Sequence, residues 1–240
     1  MRASRVLWAS ARKELLVGLR SWRVLAYAFF LAAVILLGSY ITLDDFPYEA
    51  ATSQGPLLTI LALGCAFIFA ADAVSREHER GTAPMLFGTP ARRWALLGAK
   101  ALVPAVAWAF TVAALALSFL SLGLGAQFAA IFPVELLCAS LLFGAAVGLL
   151  LFISAAVKGR GAPFAGVVAV MFMVISSGYI PVDVAGGVRM LSPSYHEYLL
   201  FDDLLDGALD SALPAILLVA EMVIFFWLAM WAFRRSEVSR

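Results

Sequence analysis

Charge is scarce in this chain. Asp, Glu, Lys and Arg make up 14% of its 240 residues, against about 25% in an ordinary soluble domain. Two cysteines and two histidines are present. Cys65 and Cys138 both fall within apolar runs, so neither a structural disulfide nor a metal site is expected. Neither "HERGT" from His78 nor "HEYLL" from His196 completes the H-E-x-x-H zinc pattern, which needs a second histidine four residues on. Both histidines are expected in loops, which leaves no His-dependent dyad within the core. The pattern G-x-x-x-x-G-K-[ST] is absent, and with it the backbone cradle of a P-loop hydrolase. No low-complexity tract, short-period repeat or interdomain linker divides the chain. No small-residue cleavage site follows the first apolar run, so a removable signal segment is not expected.

What is abundant is apolar length. Hydrophobic residues are 63% of the chain and the mean hydropathy is +0.95. Runs longer than the roughly 18 apolar residues of a spanning helix occur at about Trp22 to Thr42, Leu57 to Val74, Trp94 to Leu120, Phe128 to Val157, Phe164 to Pro181 and Ala212 to Phe233. They are continuous rather than alternating, which argues against a β-barrel. The expected fold is an all-α polytopic membrane protein with six transmembrane helices. Arg and Lys gather before the first run, in the loops after the second and fourth, and in the tail, which places both termini on the cytoplasmic side. Basic residues explained by topology give no support to nucleic-acid binding. The opposite loops carry Asp44, Asp45, Glu49, Asp183, Glu197, Asp202, Asp203, Asp206 and Asp210, expected as solvated charge.

Residues 1–21 read differently. At 100° per residue Leu7, Trp8, Ala11, Leu15, Leu19 and Trp22 share one side, with Arg5, Arg12, Lys13, Arg20 and Arg23 opposite, the pattern of an interfacial amphipathic helix. Residues 22–233 then form the six-span body and 234–240 a cytoplasmic tail. "GAAVG", Gly144 to Gly148, permits close helix contact and is a candidate for a dimer seam. Charges inside the runs are candidates for function, because each is costly in lipid. Asp72 and Lys100 lie near the cytoplasmic ends of consecutive spans, where they can pair, with Arg76 and Arg80 as alternative partners for Asp72; the role is a structural ion pair or a gate. Glu221 lies nine residues into the last run, about 14 Å deep, as a substrate- or proton-contacting group or a hydrogen-bonded carboxyl at a helix contact. Glu135, nearer the outer surface, is expected to snorkel to solvent.

One stretch concentrates polar residues, "ADAVSREHERGTAPMLFGTPARRWALLGAK". The second run continues into a polar helix, Ser75 to Arg80, that Gly81 is suited to end. Thr82 can cap a short helix over Ala83 to Phe87, Gly88 can end it, and Thr89 with Pro90 opens the next span. Met85, Leu86 and Phe87 would then be apolar groups on a cytoplasmic loop, a knob that asks for a socket on a partner.

This loop resembles that of ABC-2-type permeases, the membrane subunits of type V ABC exporters, whose usual pattern reads R-E-x-E-R-G-T-L-E-x-L-x-x-T-P-x-x-x-W-x-x-x-x-G-K. Arg76, Glu77, Glu79, Arg80, Gly81, Thr82, Leu86, Thr89, Pro90, Trp94, Gly98 and Lys100 match it; Ala83 and Pro84 depart from it. The layout is similar to the gliding-motility and nitrous-oxide-reductase-maturation branches. "LSPSYHEYLLFDDLLDGALD" looks like the family's external re-entrant segment (region 182–211), opened by Ser192 and Pro193 and broken by Gly207.

The resemblance implies that loop 75–93 holds a coupling helix that docks on a separate cytoplasmic ABC ATPase, two copies serving two permease halves, most simply a homodimer. ATP and Mg would sit on that partner, with no cofactor, metal or catalytic site on this chain. It also implies export across a prokaryotic inner membrane. The rival readings are a secondary transporter or channel using intramembrane carboxylates, and a non-transporting scaffold that recruits an ATPase.

Overall fold

The computed structural model describes residues 2–44, 55–79, 93–121, 125–157, 159, 161–177, 190–205 and 212–235. Among them there is no strand. The helices are α1 (Arg2–Leu19), α2 (Trp22–Asp44), α3 (Gly55–Ala70), α4 (Ser75–Glu79), α5 (Arg93–Ser121), α6 (Gly125–Ala156), α7 (Gly161–Ser176), α8 (Pro193–Leu205) and α9 (Leu213–Arg235). Four stretches are long and apolar enough to cross a membrane: Leu57–Glu77, Arg93–Ser118, Phe132–Ala156 and Leu213–Arg235. A fifth is added if Ala11–Gly18 and Trp22–Leu36, bent by 63° at their junction, are counted together. Helix α7 is apolar but only 16 residues long, about 24 Å at 1.5 Å per residue. The chain is therefore an all-helical, multi-pass membrane protein.

Small residues decide what lies at the centre. In α3 and α6, Ala62, Cys65, Ala66, Ala70, Ala139, Ala145 and Ala146 are fully buried beside Leu61, Leu142, Leu150 and Leu151. Short side chains let these two backbones approach closely, which is what packs helices where no hydrophobic effect separates lipid from protein. The outer helices turn large apolar groups outward instead: Phe164, Val168 and Met171 on α7, Ile216, Val223 and Trp227 on α9, Leu25 and Phe29 on α2. Buried polar groups are tied across the bundle. Tyr27 of α2 hydrogen-bonds Thr111 of α5, and Trp108 of α5 donates to Ser140 of α6 at 3.1 Å while stacking on Phe143.

The "GAAVG" face is used inside the chain. A Cβ on Gly144 would lie 2.6 Å from Met222 Sδ, and one on Gly148 3.0 Å from Phe225 Cβ and 3.2 Å from the Phe226 backbone nitrogen. These glycines seat α9 against α6, so the close-contact surface they offered as a candidate for a dimer seam is used within the chain. Gly148→Leu is expected to destabilise the permease by about 3 kcal/mol, since backbone cannot move aside as a side chain can. A thermal melt in detergent, with Ala156→Leu at an exposed position as the control, checks it.

Candidate functional site at the basic end of the bundle

The site begins with two breaks in helix. Between α1 and α2, Ser21 Oγ donates to the Gly18 carbonyl at 2.6 Å, and Val24 N–H donates to the Ser21 carbonyl at 3.2 Å. This tight elbow needs close approach, because a Cβ on Gly18 would meet Val103 of α5 at 2.7 Å. Between α3 and α4 the chain turns over residues 71–74. Two backbone N–H groups freed there, on Val74 and Ser75, donate to Ser154 Oγ of α6 at 2.9 and 3.1 Å. The polar continuation expected after the second span is thus present, set off by a turn that α6 holds. Val74, Leu96, Ala155, Ala232 and Phe233 pack beneath that turn.

Two ion triads join these breaks. Asp72 Oδ2 accepts from Arg23 of α2 and, at 3.2 Å, from Arg76 of α4. Lys100 Nζ donates to Glu14 Oε1 of α1 at 3.2 Å and to Glu77 Oε1 of α4 at 3.3 Å. Lys100 is 3% exposed, and its two partners are about four-fifths buried. Five of the six side chains, Glu14, Arg23, Arg76, Glu77 and Lys100, border a small cavity of about 60 Å³, lined also by Ser21. Buried charge of this kind persists only when paired. Each triad crosses between helices, so α1, α2, α4 and α5 are tied at one level.

Asp72 and Lys100 do not pair with each other, contrary to the first option read from the sequence. The elbow brings Arg23 and Glu14 in between, and each of the two finds its opposite charge there. Arg23 is consequently not a free topology charge. Glu79, at the end of α4, is exposed; a Cβ on Gly159 would lie 3.9 Å from its Oε1, and Gly159 has φ +67°. That left-handed turn between α6 and α7 suits glycine and brings a second connection beside α4. Arg80, Gly81, Thr82, Met85, Leu86, Phe87, Thr89 and Pro90 lie outside the described residues.

The other charged candidates are at the far end. Glu135 is 4% exposed, so it does not snorkel to solvent. Glu197 is 2% exposed and accepts from Thr59 of α3 at 3.0 and 3.1 Å, correcting its reading as solvated loop charge. His196 is not in a loop. It lies on α8, 5% exposed, with Nδ1 3.1 Å from Glu221 Oε1 on α9, so the expectation of no histidine pairing within the core is overturned. A signal for this exists in the sequence. His196 and Glu197 precede Leu200 and Phe201 by one helical turn, on the same face, and that face is the buried one. Among the described residues, no group of three or more His, Cys, Asp or Glu is placed to hold a metal ion.

Compared with known families, residues 8–238 match the family described as ABC-2 family transporter protein. No individual curated protein matches the chain.

Proposed function

The chain belongs to the ABC-2 family of transporter proteins, and from that premise we propose that this ABC transporter permease is driven by ATP hydrolysed on a separate ABC ATPase and moves its substrate outward. Two permease copies and two ATPases make the working unit. The basic end, with both termini, faces the cytoplasm of a prokaryotic inner membrane, and six spans carry the chain across it.

The observation that supports this reading is the pair of triads. The connection 80–92 leaves from α4 and returns at α5, and both of its anchors are in the triads through Arg76, Glu77 and Lys100. A force that a docked ATPase delivers to either end of this connection therefore reaches α1 and α2 through Glu14, Asp72 and Arg23. Helix α5 has a compliant point next to it. Pro104 lies inside the helix and lacks the N–H that would bond the Lys100 carbonyl one turn back. A channel or secondary carrier has no use for a rigid cage beneath a connection of this composition.

The test is a mild-detergent pull-down from native membrane with an ATPase assay, comparing wild type with the double variant L86D/F87D. Wild type is expected to bring down a P-loop ATPase at about one copy per permease. The variant is expected to insert normally and to lose at least tenfold of that ATPase, since two charges in an apolar socket cost several kcal/mol. Equal recovery from both would remove the docking assignment. Recovery of the permease alone, with no hydrolysis, would favour the secondary-carrier reading. An ATPase recovered without substrate movement in vesicles would favour the scaffold.

A further inference from the structure

The end of the bundle opposite the triads holds protonatable groups that the coupling mechanism does not use. Helices α6 and α9 run parallel, with Gly144 level with Met222 and Gly148 with Phe226. Glu221 is therefore level with Phe143, and Glu135 stands eight residues further along α6, about 12 Å nearer the opposite end. Between these two levels lies Cys138, one turn from Glu135 and within electrostatic reach of Glu135 and Glu197, and His196 is bonded to Glu221 at the inner level. The groups thus descend in steps from one face of the bundle toward its middle.

Two carboxylate oxygens in this set are orphaned. Glu135 Oε1 and Glu221 Oε2 are buried and have no hydrogen-bond partner. Neither residue has a lysine or arginine partner among the described residues. Leu200, Phe201, Leu218 and Ala145 pack around the site. An unneutralised carboxylate in such surroundings costs many kcal/mol, so a positive species must share the site. It has to be small, because the orphan atoms are fully covered, and no metal-holding group is placed among the described residues.

We propose that this cluster is a proton-binding site, with Glu135 as its outer station and the His196–Glu221 pair as its inner one, and that proton occupancy governs how α8 is seated on the core. The inner pair is neutral with a single proton, whether as imidazolium with carboxylate or imidazole with carboxylic acid. Removing that proton leaves a lone carboxylate, and adding a second leaves a lone imidazolium; either state puts uncompensated charge in an apolar setting. His196 is the bond between α8 and α9, while Ser194 Oγ, donating to the Met173 carbonyl at 2.5 Å, and Glu197 tie α8 to α7 and α3. The titratable groups on elements packed against α8 are Glu135 and Cys138 of α6 and Glu221 of α9, with Arg234 and Arg235 at the other end of α9; α8 itself adds Tyr195, His196, Glu197, Tyr198, Asp202 and Asp203, α7 carries none, and α3 has Thr59 and Cys65 as its polar groups. The outer station lies eight residues along α6 from the level of Glu221, toward the end opposite the triads, so protons reach it from that side.

The test is infrared spectroscopy of the full chain in lipid nanodiscs, titrated from mildly acidic to mildly alkaline buffer. Protonated carboxyl absorbs apart from carboxylate, and the proton itself is the probe. Wild type is expected to show two buried protonated-carboxyl components. E135Q should lose one of them, E221Q the other, and H196N should shift the titration midpoint of the Glu221 component while leaving that of Glu135 in place. Size exclusion and circular dichroism establish that each variant is folded; where E221Q is not, E221D keeps the carboxyl and is expected to move its band. Spectra of E135Q and E221Q that superimpose on wild type would overturn the proposal. So would an H196N variant whose Glu221 component titrates unchanged. Neither result bears on whether an ATPase docks at the other end.

Discussion

Lys100→Met lowers the stability of the permease by about 3 kcal/mol, the cost of breaking a buried ion pair by removing one partner. Lys100 sits almost wholly out of solvent on two carboxylates, and methionine fills its volume without its charge. What is lost is the ammonium that lets Glu14 and Glu77 face a common point. Left behind, the two carboxylates repel across a site where water screens poorly. Adding Glu14→Gln and Glu77→Gln to Lys100→Met is expected to recover more than half of the loss, because replacing a whole buried triad is far less costly than orphaning part of it. The check is a thermal or denaturant melt of wild type, the single variant and the triple variant in one detergent. A Lys100→Met loss under 1 kcal/mol, or no recovery in the triple variant, would mean that Lys100 is not held by these two groups.

Asp72→Arg is expected to cost as much and to act on a different joint. Asp72 Oδ2 is shared between Arg23 and Arg76, and Arg23 is 13% exposed. Reversal would place three guanidinium groups together, with repulsion in place of attraction. The informative experiment is the swap. Arg23→Asp alone would set two carboxylates against Arg76, while Arg23→Asp with Asp72→Arg restores the opposite pair on the same two helices. A coupling energy of about 2 kcal/mol in that cycle is expected, near the upper part of the range for contacting residues. If the elbow transmits force from the connection 80–92, each single variant should also lose ATP-dependent transport in vesicles and the swap should regain part of it. Additive single effects, with no rescue, would show that the elbow is placed by packing rather than by this pair.

How these residues would assemble was only partly legible. Spans over residues 57–77, 93–118, 132–156 and 213–235 follow from uninterrupted apolar length, a local property that needs no partner to be read. The α8 segment was marked by Ser192 and Pro193, a cap and first-turn proline whose meaning is equally local. Its burial was not, because acidic residues surround it and an acid-rich stretch reads as solvated until a neighbouring helix is known to cover one face. Glu14 was missed as the one acid in a basic helix. Its role exists only because Gly18 lets α1 fold back onto α5, next to Lys100. The same holds for Ser154, an unremarkable hydroxyl in an apolar helix until the α3–α4 turn is laid across it.

The amino-acid order by itself determined that the protein is helical, that it lies in a membrane and which connection belongs to the ABC-2 pattern. Each of these is set by composition, hydropathy length or contiguous residues. Apart from the i,i+4 pair of Asp72 with Arg76, which charge meets which was decided only in three dimensions. Asp72 had Lys100, Arg76 and Arg80 as candidates by position along the chain, and the 63° elbow put Arg23 against it and Glu14 against Lys100. The same is true of "GAAVG", which offers a close-contact surface to any helix and is given α9 by the packing. Ion pairing and helix contact are pairwise and short-ranged, so they depend on where distant segments arrive, and that is a property of the folded bundle alone.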